Sequence, residues 1–404
     1  MPQDVTRNLG PSSSQSLTYE SIGQAEDYSQ ILYNIDPTST PILSRLPEGA
    51  ALTATDTTWM TEQLEPPGEN AHKEYEKYEC HKVGSMEGLK NYAQFFQNDG
   101  WISDVQRKVK KIYNVPQGDV LAEAKTKAFT KQARDIEYAL LNNDKARIGS
   151  ESEAPLMGGV PYFMDLDTID VTVDATKDSP TGIFTATKNH NLKTGDFVYL
   201  IGDTMPTGVK AGAMYYVRVD DTTPKTKFTI YDTIKDAVRG TADAVIKPSA
   251  AGTNVKIVKS NVKSLGGSTQ YTLDDIDDVM LMAASRGGNP TDAYMSMENK
   301  RRFSKLVSAL STTQRQPKTR YGSLVADTYE TDGGVISAHA HRMYASNRID
   351  IFDFDYWELR YLEKPHEVEN LAKDGTYEKF VLETKMTLQA SQPKASASII
   401  GIKR

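Results

Sequence analysis

The stretch DVLAEAKTKAFTKQARDIEYALLNNDK, residues 119–145, is the clearest helical pattern in the chain. Pro116-Gln117-Gly118 ends the segment before it, and Asp119 and Glu123 place negative charge in the first turn, where the helix dipole favours it. At ~1.5 Å per residue the pattern predicts a helix of about 40 Å. Apolar side chains at steps of three and four residues predict one apolar stripe: Leu121, Ala124, Ala128, Phe129, Ala133, Ile136 and Leu140. The opposite face carries Lys127, Lys131, Arg134 and Asp135.

Two strand-like segments with a charged tip between them precede this helix. Residues 52–62 are rich in threonine around Trp59, which favours a strand, and Pro66-Pro67-Gly68 ends it. Residues 69–82 are almost wholly charged or aromatic, and residues 91–96 return to an ordered, strand-like pattern. The segment therefore predicts a projecting hairpin. Protruding, charged and partly aromatic extensions are typical of a chain that contacts copies of itself.

The chain after the long helix changes its pattern twice. Between about residues 168 and 262, short β-branched runs alternate with Gly, Asp and Pro turns, which predicts an all-β module. Gly158-Gly159 and Gly266-Gly267 stand at its edges like the entry and exit of an insertion. Helices are predicted at 274–285 and 297–308, a short strand at 293–296, and further strands at 335–339, 349–352, 377–386 and 395–402. The predicted fold class is α+β.

Composition and charge exclude several classes of protein. The 404 residues include 47 Lys and Arg against 54 Asp and Glu, a formal net charge of −7. This excludes a protein held to nucleic acid or anionic lipid by bulk positive charge. The single cysteine, Cys80, excludes an internal disulfide and a structural zinc site with two thiolates. No stretch approaches the ~18 apolar residues of a membrane span, and the N-terminus lacks a secretory signal. We therefore expect a soluble chain made in a reducing compartment.

Motifs for catalysis are missing, and we predict that the chain is not an enzyme. Neither GxxxxGK[ST] nor a strand-linked GxGxxG occurs, and Gly84-Ser85-Met86-Glu87-Gly88 has its serine in the wrong place for GxSxG. His366-Glu367-Val368-Glu369-Asn370 fails HExxH at its last ligand. His339-Ala340-His341 places two histidines on one side of a strand, but the pattern favours a solvated strand face over a metal site. We predict no catalytic residue, no cofactor and no metal.

The order of these parts resembles a known family, the Hong Kong 97-type major capsid proteins of tailed phages, in their SU-ten-like branch. The likeness covers most of the chain outside residues 168–262, and that region is similar to a small β-module recurrent in phage virion proteins. The segments that carry the likeness are Asp36-Pro37-Thr38-Ser39-Thr40-Pro41 with Ile42-Leu43, Trp59-Met60-Thr61-Glu62-Gln63-Leu64, Asn91-Tyr92-Ala93-Gln94, Ser103-Asp104-Val105-Gln106, and Arg134-Asp135-Ile136-Glu137.

The resemblance implies a Hong Kong 97-type capsid fold with an added all-β insertion domain. Its parts are an N-terminal arm, an extended β-hairpin loop, a long spine helix, and peripheral and axial domains. The expected boundaries are 1–51 for the arm, 52–104 for the extended loop, 105–164 for the spine helix and the start of the peripheral and axial region, 165–262 for the β-rich insertion domain, 263–355 for the axial domain, and 356–404 for the return strands of the peripheral domain.

The resemblance also implies a function: a major capsid protein that self-assembles into the icosahedral head shell of a tailed bacteriophage around double-stranded DNA. The implied partners are further copies of the chain in hexameric and pentameric capsomers, the portal, scaffolding or decoration proteins, and packaged DNA contacted non-specifically. The implied location is the virion shell, assembled in the host bacterial cytoplasm without a membrane.

Charge suggests how the hairpin of one copy would contact the spine of the next. Residues 62–90 hold 7 acidic and 4 basic side chains, and residues 99–147 hold 10 basic and 7 acidic ones. Exposed pairs contribute about 0–1 kcal/mol each and are screened by salt, so they would set register while apolar contacts supply affinity. That these charges merely solvate each segment stays open. The predicted contact residues are Trp59, Leu64, Glu74, Glu76, Glu79, Tyr92, Phe95, Lys127, Lys131 and Arg134.

Two other classes of function stay open at this point. One is a non-capsid phage virion binding module that uses the β insertion to recognise carbohydrate or protein. The other is a hydrolase without a recognisable motif. Particle size separates them, because a coat protein purifies as capsomers or shells and the other two classes do not.

Overall fold

The structure is a computed structural model, and it describes most of the chain from residue 40 onward. Among the described residues, contacts between Cα atoms define two compact units. The smaller unit draws on residues 98–131 and 367–382, and the larger on residues 40–97, 132–366 and 383–404. The described ranges are 40–62, 71, 74–75, 86–109, 119–175, 181–220, 226–267, 269–310, 328–331, 333–369, 371–372 and 375–403.

Seven α-helices occur in these ranges, and the longest is the one predicted from the sequence. They are α1 (Pro41–Arg45), α2 (Asp104–Lys108), α3 (Val120–Asn142), α4 (Val160–Phe163), α5 (Ile234–Arg239), α6 (Leu273–Ser285) and α7 (Met297–Leu310). The 23 residues of α3 confirm the helix expected at 119–145, with an earlier end. Ile136 and Leu140 of the predicted stripe are buried, but Phe129 is 39% exposed. Both helices predicted after the β-module are confirmed as α6 and α7.

Seventeen strands form a two-stranded ribbon, a three-stranded sheet, a six-stranded sheet and a closed barrel within the described part of the chain. The strands are β1 (Asp56–Thr61), β2 (Glu87–Tyr92), β3 (Gln94–Ser103), β4 (Thr168–Val173), β5 (Ile183–Ala186), β6 (Phe197–Ile201), β7 (Met214–Val219), β8 (Lys227–Tyr231), β9 (Lys256–Val258), β10 (Val262–Ser264), β11 (Asp292–Ser296), β12 (Thr328–Thr331), β13 (Gly334–His341), β14 (Arg348–Phe352), β15 (Trp357–Glu367), β16 (Tyr377–Ala390) and β17 (Ala397–Ile400).

The predicted hairpin is confirmed by the antiparallel pairing of β1 with β2, in which Trp59 lies opposite Leu89. Its second strand differs from the expectation of one continuous segment at 91–96. β2 ends at Tyr92, and β3 then joins the three-stranded sheet in the order β15-β16-β3. The break falls at Ala93, whose backbone N–H donates to the Thr55 carbonyl at 2.7 Å. One strand-like segment, residues 91–96, therefore contributes to two different sheets.

The barrel closes in the strand order β4-β5-β8-β7-β6-β9. Phe184 and Phe228 stack at its centre with ring centroids 5.6 Å apart. The first and last strands pair directly, with Thr168 opposite Val258, so the chain enters and leaves the barrel at neighbouring positions. Its 15 buried core residues form their own cluster. The barrel thus has the interior that an independent folding unit needs.

The barrel also packs on the rest of the larger unit through the outward side of β6. Because both faces of this strand are covered, Phe197, Val198, Tyr199 and Leu200 are all buried. Val198 and Leu200 face the barrel core, whereas Phe197 and Tyr199 belong to the cluster around α6. Arg286 follows α6 and holds this contact, with its guanidinium carbon 4.4 Å from the centroid of the Phe197 ring. Burial lowers the pKa of Arg286 to about 10.

The six-stranded sheet has the order β10-β17-β14-β11-β13-β12, and its central strands β11 and β14 carry buried apolar side chains on both faces. One face packs on α6 and α7 through Met295, Ile336 and Phe303, among others. The other face contributes Tyr294 and Phe352 to a second cluster that contains the C-terminal half of α3. On β11 and β14, side chains that point to opposite faces therefore belong to different clusters, as the alternation of side chains along a strand requires.

A buried carboxylate on α3 joins three separate segments of the larger unit. Glu137 is fully buried, and its oxygens accept the backbone N–H groups of Ile42 at 3.0 Å and Leu43 at 2.7 Å. His341 Nε2 lies 2.9 Å from the same carboxylate. Since His341 Nδ1 accepts the backbone N–H of Met343, the proton is on Nε2, and His341 donates to Glu137. Glu137 therefore ties the start of α1 and the end of β13 to the spine.

A second carboxylate holds the other end of α1. Asp292 Oδ2 lies 2.7 Å from Arg45 Nη2, and Asp292 Oδ1 lies 3.0 Å from His339 Nε2. The expectation of a solvated face for His339-Ala340-His341 is therefore wrong at His341, whereas the side chain of His339 is 40% exposed. His341 is 3% exposed, and each histidine contacts a buried carboxylate that anchors α1. Buried polar groups need such partners, because an unpaired one costs free energy.

We expect Glu137→Ala to lower the free energy of unfolding of the unassembled chain by about 3 kcal/mol or more, because two backbone N–H groups and His341 would lose their buried acceptor. Urea denaturation followed by circular dichroism measures the loss. Lys127→Ala on the exposed side of the same helix is the matched control, with an expected change of ~0.5 kcal/mol. Equal losses in the two variants would contradict the assigned role of Glu137.

We expect residues 165–262, expressed alone, to fold, because the barrel is closed and has its own core. Dispersed amide resonances and one cooperative thermal transition are the expected observations. Phe228→Ala should abolish both, because Phe228 is 1% exposed at the centre of the barrel. A fragment with the spectrum of an unfolded chain would show that the barrel depends on its contact with α6.

Candidate functional site

The hairpin has one face on its own chain and one face in solvent. Asn91, on β2, is fully buried and fixes the base of the hairpin. Its Nδ2 donates to the carbonyls of Gly158 at 3.0 Å and Leu388 at 2.6 Å, and its Oδ1 accepts the Gly158 N–H at 2.8 Å. A buried amide with three partners is a rigid attachment.

Trp59 lies on the same inner face of the ribbon and is half-buried. Its Nε1 donates to the Ala390 carbonyl at 2.9 Å, and its ring lies 5.8 Å from that of Phe163. The structure therefore places this predicted contact residue against its own chain. Its partly exposed indole leaves the inter-subunit role of Trp59 a prediction.

The outer face of the hairpin carries charge and one prominent apolar side chain. Lys90 Nζ lies 3.1 Å from Asp56 Oδ2 and 5.1 Å from the centroid of the Tyr92 ring. The hydrogen bond to Asp56 raises the pKa of Lys90. Met60 is 67% exposed, and it lies opposite Gly88, which has no side chain to cover it. Tyr92 is half-buried under Lys90, whereas Met60 is open to a partner.

Little of the predicted hairpin tip falls within the described residues. Glu74 is exposed, and its neighbour Tyr75 is 96% exposed with a positive φ of 68°. Leu64, Glu76 and Glu79 lie outside the described residues. Phe95, which we predicted as a hairpin contact, begins the next strand and is 44% exposed, with Lys385 Nζ 5.6 Å from its ring centroid.

The three predicted basic residues of the spine follow each other at helical steps along α3, a spacing that places side chains on one side of a helix. Lys127 is paired with Glu123 at 2.6 Å but remains 56% exposed. Lys131 is exposed and Arg134 is half-buried. Tyr138 continues this side of the helix and is 58% exposed. The sequence reasoning missed Tyr138, although its position four residues after Arg134 was a usable signal.

Among the described residues, one group of three potential metal ligands lies together: Glu363, His366 and Glu383, with their ligand atoms within 4.8 Å of one another. Lys385 Nζ is 2.9 Å from Glu363 Oε2 and 3.7 Å from Glu383 Oε2. The hydrogen bond to Glu363 raises the pKa of Lys385. The ammonium group of Lys385 thus already pairs with these carboxylates, and we assign no metal to them.

A comparison with protein-family models matches residues 12–403 to the family described as SU10 major capsid protein. The chain belongs to the SU10 major capsid protein family. This confirms the predicted function of a major capsid protein. A comparison with curated protein sequences finds no match.

Solved structures show the same fold for this family member. The Cyanophage A-1(L) capsid asymmetric unit is 12% identical with a TM-score of 0.52, covering 96% of this chain and 99% of that chain. The capsid of a native GTA particle is 9% identical with a TM-score of 0.50, covering 97% and 100%. The predicted α+β, Hong Kong 97-type capsid fold is confirmed.

No helix among the described residues has the length and apolarity to span a bilayer.

We expect Asn91→Ala to loosen the base of the hairpin, because the Gly158 N–H and two carbonyls would lose their buried partner. The predicted loss is about 2 kcal/mol in the free energy of unfolding, with faster proteolysis within residues 52–97. Thr58→Ala, on the exposed face of the paired strand, is the control. Unchanged proteolysis in the Asn91 variant would show that the hairpin is held by other contacts.

Proposed function

We propose that copies of this chain assemble into the icosahedral head shell of a tailed bacteriophage, and that the hairpin of one copy binds the spine helix of the next. The observation that carries the proposal is the two-sided hairpin. Asn91 fixes its inner face to its own chain, while Met60 on its outer face is exposed. A rigidly attached ribbon loses little conformational entropy when it binds, which favours association.

The receiving surface in this proposal is the side of α3 that carries Lys127, Lys131, Arg134 and Tyr138. Basic residues there complement the acidic hairpin segment, which includes Glu74, Glu76 and Glu79. Exposed ion pairs supply about 0–1 kcal/mol each, so they set register rather than affinity. Met60 and Tyr138 are exposed apolar side chains, one on each surface, and a methionine–aromatic contact adds about 0.3–1.5 kcal/mol.

In this proposal the barrel is an insertion into the capsid fold, occupying residues 165–262. Recognition of carbohydrate by the barrel has little support, since sugar-binding surfaces expose aromatic rings. Ile234, at 36%, is the one large apolar side chain exposed in the described part of the barrel. Its aromatic side chains contribute to the two clusters on either side of the barrel wall. We therefore favour a shell component over the alternative of a separate binding module.

The remaining parts of the proposal concern partners and location. We propose hexameric and pentameric capsomers, contact with a portal and with scaffolding or decoration proteins, and non-specific contact with packaged double-stranded DNA. Assembly would take place in the host bacterial cytoplasm, and the finished protein would reside in the virion. Membership of a structural capsid family supports a chain without catalytic activity.

Charge reversal tests the proposed contact. We expect Glu74→Lys, Glu76→Lys and Glu79→Lys in one chain to reduce shell formation, and Lys127→Glu, Lys131→Glu and Arg134→Glu in another to do the same. A chain carrying all six changes should recover shells, because the charges are again complementary. Electron microscopy and sedimentation measure the yield at low salt, where surface pairs are least screened.

Triple reversal of exposed charges away from these surfaces, at Asp203, Asp232 and Asp243 of the barrel, is the control. Shells that form normally from all variants would remove the charge contact from the proposal. If the unaltered chain forms no particle at all, the proposal that it assembles into a shell is wrong.

A further inference from the structure

The three-stranded sheet has an open face in the smaller unit. Residues of β3 alternate, so that Asn98 and Ile102 are buried while Asp99 and Trp101 are exposed. The buried side is tightly packed: a Cβ added to Gly100 would lie 2.5 Å from the ring of Phe380. Trp101 points the other way and is 65% exposed. A tryptophan in this position leaves a large apolar surface in water.

Trp101 is part of an aromatic pair on this face. Its ring contacts that of Tyr377 on β16 edge-on, with centroids 5.7 Å apart. Lys379, two residues further along β16, places its Nζ 5.2 Å from the centroid of the Tyr377 ring. Asp99 is exposed two residues before Trp101. The patch, defined here as Asp99, Trp101, Tyr377 and Lys379, thus combines two aromatic rings with one acidic and one basic side chain.

This combination is complementary to itself. When two identical surfaces meet across a two-fold axis, every contact occurs twice: a residue of the first copy that faces a given residue of the second is matched by the same pair with the copies exchanged. The Asp99 carboxylate of one patch can then face the Lys379 ammonium of the other, with the rings packed between them. Tryptophan and tyrosine are also the residue types that dominate binding energy at interfaces.

We propose that this patch binds the same patch of a second copy of the chain, as a contact distinct from that of the hairpin. It rests on the proposed function in requiring assembly, but it uses neither the hairpin nor the basic side of α3. The charges on the patch favour a copy of the same chain as the occupant, because Asp99 and Lys379 each meet an opposite charge when two such patches face each other across a two-fold axis.

Tryptophan fluorescence of the full chain tests whether the patch is covered on assembly. The three tryptophans differ in environment: Trp357 is 1% exposed, Trp59 is half-buried, and Trp101 is 65% exposed. Acrylamide should quench the unaltered, unassembled chain more than the Trp101→Phe variant, and this difference should vanish in shells. If the difference persists in shells, Trp101 is still exposed there and the inference is wrong.

A crosslinking experiment tests whether the patch meets itself. With Cys80→Ser as background, Trp101→Cys should give covalently paired chains when assembled particles are oxidised. Val335→Cys is the matched control, since Val335 is 53% exposed on β13 of the larger unit, and it should give unpaired chains. Trp101→Cys chains that stay unpaired in intact particles would overturn the same-patch contact.

Substitution gives the expected size of the effect. Trp101→Lys should raise the protein concentration needed for assembly by about tenfold or more, as for an interface hot spot. Val335→Lys should leave that concentration unchanged, and circular dichroism should show both variants folded, because both side chains are exposed. Equal thresholds for the unaltered chain and Trp101→Lys would contradict the inference. If the unaltered chain forms no particle, both the shell proposal and this inference are wrong. If shells form and Trp101 is still exposed in them, only this inference is wrong.

Discussion

The packing of the larger unit depends on two buried carboxylates, those of Glu137 and Asp292, that contact α1. A carboxylate withdrawn from water must be surrounded by donors, and Glu137 finds three: two backbone N–H groups of α1 and the ring of His341. Asp292 meets the same requirement with Arg45 and His339. Each donor comes from a segment distant in sequence, so satisfying the two acids fixes how α1, α3 and the six-stranded sheet fit together. An apolar contact would hold these segments less specifically, because dispersion has little directional preference.

Local sequence patterns were sufficient to predict an element wherever that element has one side in water and the other side against a core. The periodicity of α3 is a signal of this kind. The burial of His341 was not predicted because its partner, Glu137, lies far away in the sequence. β15 fell within the return strands expected at 356–404 but received no bounds of its own, because WELRYLEKPHE is charged and contains Pro365. The segment at 91–96 was assigned to one strand because nothing in the local sequence marks Ala93 as the point where the chain leaves the β1–β2 ribbon and enters the three-stranded sheet.

The candidate contact residues also divide into those that could be placed from local sequence and those that could not. Lys127, Lys131 and Arg134 could be placed on one side of a helix from their spacing alone, and that spacing also leads to Tyr138. The hairpin was recognisable, but its orientation was not. Which face of a two-stranded ribbon meets the body depends on Asn91 and its three distant partners. Trp59 looked like an exposed anchor because tryptophan is common at interfaces, whereas Met60, one residue later, occupies the outward position.

The pairing of Thr168 with Val258 has a consequence for how such a coat protein can change. Both cut points lie side by side on adjacent strands, so exchanging everything between them leaves the surrounding backbone where it was. Any replacement whose ends are similarly close fits the same socket, provided that it covers the apolar surface of α6 that Phe197 and Tyr199 now shield. The same junction is therefore a place at which an engineer can attach a foreign module whose ends are close together.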